Sequence, residues 1–137
     1  MRIIALDVGD RRIGVAICDE LEISANSLLT IDRQSKNFMG QIKDILDEYN
    51  VEEIVVGMPV MMNGTMGIQG EKVSKFIEEL KNEINIPIKL FDERLSTKLV
   101  EKALIDADMR RDKRKKIIDQ LSAVIILQDY MRSRSRG

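Results

Sequence analysis

RIIALDVGDRRIGVAIC, residues 2–18, decides how this chain folds. Ile3–Leu6 is an unbroken apolar run of strand length, and Asp7 and Gly9 end it in a turn. Ile13–Cys18 (IGVAIC) is a second short apolar run, close enough behind the first for the two to pair as a hairpin. Arg2–Asp7 reads as a buried first strand and not as a signal peptide, because an acidic residue follows at once and no small-residue cleavage site is present. An aspartate at the carboxyl end of a central strand points into the crevice where α/β sheets hold ligands. Gly9 and Gly14, which bracket the turn with Arg11 and Arg12, would let a phosphate backbone approach closely. A plain turn also uses Asp as a hydrogen-bond acceptor, so this segment alone leaves both roles open.

Downstream, Ser27–Ile31 is a plausible third strand. Phe38, Ile42, Ile45, Leu46 and Tyr49 recur at helical spacing and predict an amphipathic helix over 37–49. Glu53–Gly57 reads as a buried β-branched strand, followed by a Gly- and Met-rich loop, MPVMMNGTMG. Val73, Phe76, Ile77, Leu80 and Ile84 mark a second helix, and Ile88–Asp92 is the last strand. Ser96 can cap a third helix with Leu99, Val100, Ala103 and Leu104 on its apolar face. Ile117–Tyr130 reads as a fourth helix, apolar on nearly all sides and so expected to be buried. Consecutive early strands imply antiparallel pairing, and later β-α-β units imply parallel crossovers. The expected architecture is α/β, a mixed sheet with helices on both faces.

The 137 residues suit one domain with a real core, expected over 1–131, with a basic and flexible tail at 132–137. With 44% hydrophobic but 4% aromatic residues, that core must be aliphatic. No run approaches the ~18 apolar residues of a membrane span, so no membrane partner is expected. Cys18 is the only cysteine, which excludes an internal disulfide and suits a reducing cytoplasm. The absence of histidine removes imidazole acid/base chemistry, Ser-His-Asp triads and most zinc sites. The net charge of -1 hides an asymmetry: residues 1–93 carry 10 Lys/Arg against 17 Asp/Glu, and residues 94–137 carry 12 against 6. The surplus peaks at Arg110, Arg111, Lys113, Arg114, Lys115 and Lys116, just before Asp119, where a polyanion held by the run would lie near that carboxylate. A second cluster, Arg132, Arg134 and Arg136, suits a solvated tail.

Three carboxylates stand in mostly apolar surroundings: Asp7, Glu93 in LFDERLST, and Asp119 in IIDQLSAVIIL. An isolated anion there costs several kcal/mol or gives up its charge unless a cation or donors compensate it. Glu93 follows the last strand and should share the sheet edge with Asp7, although acidic residues near a helix start are also favoured by the dipole. At 100° per residue, Asp119, Ser122, Ala123 and Ile126 share one stripe, which would press a carboxylate against the sheet. The loop over Gly57–Gly70 lies where backbone N–H groups can receive phosphate, but it lacks the Gly-Lys-Ser/Thr of a Walker A loop.

Taken together, DVGDRRIGVA, the GMP…NGT…G loop, DERLST and D-x-x-S-A resemble the YqgF (RuvX) family of bacterial ribonuclease H-like proteins. The resemblance runs from about Arg2 to Met131, and DERLST is its most specific motif. It implies a three-layer ribonuclease H-like α/β/α fold with a five-stranded mixed sheet. It further implies a nuclease that processes the 5′ end of pre-16S ribosomal RNA, and kinship with Holliday-junction resolvases. The family's acidic residues match Asp7, Glu93 and Asp119. The chain departs from the family in the glycine loop, with Met58-Pro59, Met61 near the usual Asn, Asn63 for Asp and Met66 for Glu.

The chemistry expected is phosphodiester hydrolysis assisted by two Mg²⁺ or Mn²⁺ ions about 4 Å apart, with Asp7 bridging and Glu93 and Asp119 each holding one. Arg11, Arg12, Arg94 and the 110–116 run would hold the backbone of structured RNA or of branched DNA. With few aromatic residues for stacking, recognition by shape and phosphate is favoured over base reading. A non-catalytic RNA-binding module is the second reading, motivated by the altered loop. A relative of sugar or acetate kinases is disfavoured, since those folds duplicate the domain and 137 residues leave no room. Monomer and homodimer both remain open.

Overall fold

The computed structural model of the chain describes residues 2–9, 11–19, 24–58, 67–92 and 111–136. Five strands are formed: β1 (Ile3–Val8), β2 (Arg12–Cys18), β3 (Ala25–Asp32), β4 (Glu53–Met58) and β5 (Ile88–Asp92). The helices among the described residues are α1 (Phe38–Glu48), α2 (Ile68–Glu83) and α3 (Arg111–Arg136). The strands make one sheet in the order β3-β2-β1-β4-β5. β1 pairs antiparallel with β2, and β2 with β3, while β1–β4 and β4–β5 are parallel. The mixed sheet expected from the hairpin and the two β-α-β units is present, and the expected helix starting at Ser96 lies outside the described residues.

The two faces of the sheet are built differently. Ile4, Leu6 and Val8 of β1 point to one face, with Ile13, Val15, Ile54 and Val56, and meet Ile42, Ile45 and Leu46 of α1 and Val73, Phe76, Ile77 and Leu80 of α2. The alternate residues, Ile3 and Ala5, point to the other face with Ala16, Cys18 and Val55, and meet Ala123, Ile126 and Leu127 of α3. Period-2 alternation explains the split, and both faces are apolar because helices cover both. Alanines at Ala5, Ala16 and Ala123 on the second face let α3 lie close to the strands. Cys18 is buried there, and its Sγ accepts the Ile3 N–H at 3.2 Å.

Two departures concern α3. Expected to be buried on nearly all sides, it buries one stripe (Ser122, Ala123, Ile126 and Leu127) and leaves Leu121 38% exposed. A helix in an outer layer meets the sheet along one face only, so its apolar flanks stay near the surface. The helix also runs on through Arg136, so residues 132–136, expected as a flexible tail, continue it. Side-chain contacts account for the extension. The Tyr130 hydroxyl donates to the Glu53 carboxylate, and Arg134 lies 3.9 Å from the same carboxylate and over the Tyr130 ring. Phe91 of β5 packs edge-on against Tyr130, with ring centroids 6.1 Å apart. No helix among the described residues is long and apolar enough to cross a membrane.

The connection from α1 to β4 is set by Asn50, whose φ of 52° lies in the left-handed region. The Val51 N–H reaches back to the Leu46 carbonyl at 3.0 Å and the Asn50 N–H to that of Asp47 at 3.4 Å, the bonding of a Schellman cap. Asn tolerates this conformation better than other non-glycine residues. Asn50→Val is expected to lower the unfolding free energy by about 1–2 kcal/mol, and Asn50→Gly to leave it equal or higher, as urea denaturation will measure.

Candidate functional site

Asp7 lies one residue from the end of β1, the central strand, and its side chain is half-buried. Strand alternation puts it on the α3 face, in line with Ile3 and Ala5. Its antiparallel neighbour across β2 is Gly14. On the other side β1 pairs in parallel register with β4 as far as Leu6 beside Val56. The flanking position on β2 thus lacks a side chain. A hydrated cation or a phosphate needs room beside the carboxylate, and a β-branched residue at position 14 would take it.

The turn after Asp7 is tightly made. The Gly9 N–H donates to the Arg12 carbonyl at 2.9 Å, and a Cβ on Gly9 would stand 3.0 Å from that oxygen. Arg11 and Arg12, which follow, are exposed. The Arg33 guanidinium donates to the Gly9 carbonyl at 2.7 Å.

β5 ends at Asp92, at the same carboxyl edge of the parallel strands as Met58 and close to the level of Asp7. Glu93, the next residue, lies outside the described residues, as do Arg94 and Arg110. Position 119 is in α3, one helical turn before the buried pair Ser122 and Ala123 and on their stripe. Arg111, Lys113, Arg114, Lys115 and Lys116 occupy the first turns of the same helix. Among the described residues no group of three Asp, Glu, Cys or His converges as a metal site. Of the Gly57–Gly70 loop, residues 59–66 lie outside the described residues. Arg33 is not apparent as part of this region from the sequence and becomes relevant only through a contact spanning 24 residues.

The sequence profile of RuvX, described as Holliday junction resolvase, matches residues 1–133. This chain belongs to the RuvX family. A Desulforamulus reducens protein named "Putative pre-16S rRNA nuclease" is 54% identical over 134 residues, covering 97% of this chain and 98% of that one. A Clostridium novyi protein of the same name is 49% identical over 134 residues, covering 97% and 99%. Among solved structures, the fowlpox virus Holliday junction resolvase superposes with a TM-score of 0.56 at 18% identity, covering 97% of this chain and 99% of that one. Thermus thermophilus RuvC in complex with a Holliday junction gives 0.54 at 15% identity, covering 97% and 96%. At such identities these structures establish the ribonuclease H-like fold that RuvX shares with RuvC. The RuvX relatives, by contrast, match along nearly their whole length.

Proposed function

We propose that this RuvX protein is a metal-dependent nuclease that hydrolyses phosphodiester bonds in the 5′ leader of pre-16S ribosomal RNA, in the cytoplasm. One observation carries the reading: Asp7 stands near the end of the central strand beside Gly14, in a chain matched over nearly its whole length by relatives bearing that name. Asp7, Glu93 and Asp119 would hold Mg²⁺ or Mn²⁺, for which a histidine-free oxygen donor set is suited. When bound, such ions activate the attacking water and stabilise the leaving oxygen.

The placement of α3 supports convergence of Asp119 on Asp7. Tyr130 and Arg134 tie the helix to Glu53, the first residue of β4, at the sheet edge opposite Asp7. From 130 back to 119 the helix covers about 16 Å, comparable with the ~13 Å of β1 from Ile3 to Asp7. Glu93 follows a strand whose Phe91 faces α3, the face that Asp7 shares. Arg11, Arg12, Arg94 and the basic start of α3 would hold phosphates without reading bases.

Divalent-dependent cleavage of a pre-16S 5′ leader, compared on denaturing gels with a four-way DNA junction in Mn²⁺, tests the reading. Faster cutting of the leader is expected. Preferential cutting of the junction would move the substrate to branched DNA, and binding of either without product would favour a non-catalytic module. The room at position 14 makes its own prediction: Gly14→Ala should reduce the cleavage rate by at least ~10-fold while the melting temperature stays within about 5 °C, followed by single-turnover kinetics and circular dichroism.

A further inference from the structure

Arg33 does something that folding alone does not ask of it. It follows β3, and its backbone N–H donates to the Arg11 carbonyl at 2.8 Å while its guanidinium donates to the Gly9 carbonyl at 2.7 Å. A turn carbonyl can be satisfied by water, yet here a half-buried guanidinium with its desolvation penalty is spent on it. The guanidinium is itself held: its Cζ lies 5.7 Å from the centre of the Phe76 ring of α2, and Phe76 is buried and stacked on Phe38 of α1 at 6.4 Å. The turn that begins two residues after Asp7 is thus clamped from β3 and braced against both helices of one layer.

The direction of the clamp identifies its role. Phe76 belongs to the α1/α2 face, whereas Asp7 lies on the α3 face. Arg33 therefore reaches the turn from the face of the sheet opposite Asp7 and acts on the turn's backbone rather than on the carboxylate. We infer that Arg33 is a positioning residue that fixes the Gly9–Arg12 turn, and through it the orientation of the Asp7 carboxylate toward a divalent cation; this rests on the nuclease reading above. A charge-assisted bond to a carbonyl combined with ring stacking suits Arg and is only half reproduced by Lys, which can donate but does not stack as a plane.

The test uses the full chain with Arg33→Met and Arg33→Lys, and Asn50→Val as a destabilised control outside the clamp. Mn²⁺ alone is titrated by water-proton relaxation, and amide exchange at Gly9 is followed by NMR. Arg33→Met is expected to weaken Mn²⁺ binding by about tenfold, the lower end of what outer partners of metal ligands contribute, and to speed Gly9 exchange. Arg33→Lys should recover part of both, and Asn50→Val should change neither despite its lower melting temperature. Unchanged Mn²⁺ affinity in Arg33→Met, or an equal loss in Asn50→Val, overturns the positioning role and leaves the nuclease reading standing. Wild-type protein that neither binds Mn²⁺ nor cleaves the leader overturns both.

Discussion

Asp7→Asn is expected to reduce metal-dependent cleavage by at least ~10³-fold while the apo protein melts at the same temperature or higher. The amide keeps the size of the carboxylate and its capacity to accept hydrogen bonds, so the β1–β2 ladder around the Asp7–Gly14 pair is preserved. What is lost is a charge. In the absence of metal that charge is half-buried, and in the proposed site Glu93 and Asp119 would repel it, so its removal is expected to relieve the fold. Adding Mg²⁺ or Mn²⁺ reverses the order. A ligand that binds only the folded state stabilises it by about 2.7 kcal/mol at a hundredfold excess over its dissociation constant. Wild type should gain that stability and Asp7→Asn should not. Melting curves with and without 10 mM metal, about the useful range for a weak site, read the crossover directly. An Asn variant that cuts as fast as wild type would show that the site lies elsewhere.

How far the fold was legible depended on where the hydrophobic pattern was unambiguous. The bounds of β5 were read correctly, and β1 and β4 to within one residue at either end, because short apolar runs bounded by turns have one sensible reading. α3 was harder. Its continuous apolar stretch suggested burial all round, but hydrophobicity does not say how many layers a domain has, and in a three-layer fold the helix touches the sheet once. Its C-terminal extension has another cause: Arg134 resembles part of a solvated tail until Glu53, 7% exposed at the start of β4, supplies a partner some 80 positions earlier in the chain, while Arg132 pairs locally with Asp129. The site divided the same way. Asp7 announces itself by ending a strand in a glycine turn. Gly14 as its flank and Arg33 as the clamp behind it depend on register and on a contact across 24 residues, which local sequence does not encode.

Replacing Lys113, Arg114, Lys115 and Lys116 together by Gln is expected to raise thermal stability and cripple RNA binding. The two effects have opposite signs for one reason. These residues lie in the first described turns of α3, behind Arg111. Like charges three or four residues apart on a helix, as Arg111 and Arg114 or Lys113 and Lys116 are, repel by about 0.2–0.5 kcal/mol a pair at low salt. A fold selecting only for its own stability would alternate the signs there. The basic run is therefore tolerated against the local electrostatics, and a polyanion that meets those charges converts the penalty into attraction. If each of the four cations neutralises one phosphate, the slope of log affinity against log salt should shrink by about 3, and affinity for the leader at 0.1 M salt should fall by about 10²–10³. Mn²⁺ binding by the variant should match wild type, which separates this surface from the Asp7 centre. A solvated helix start without a partner predicts the contrary: the same gain in melting temperature, with the salt slope unmoved.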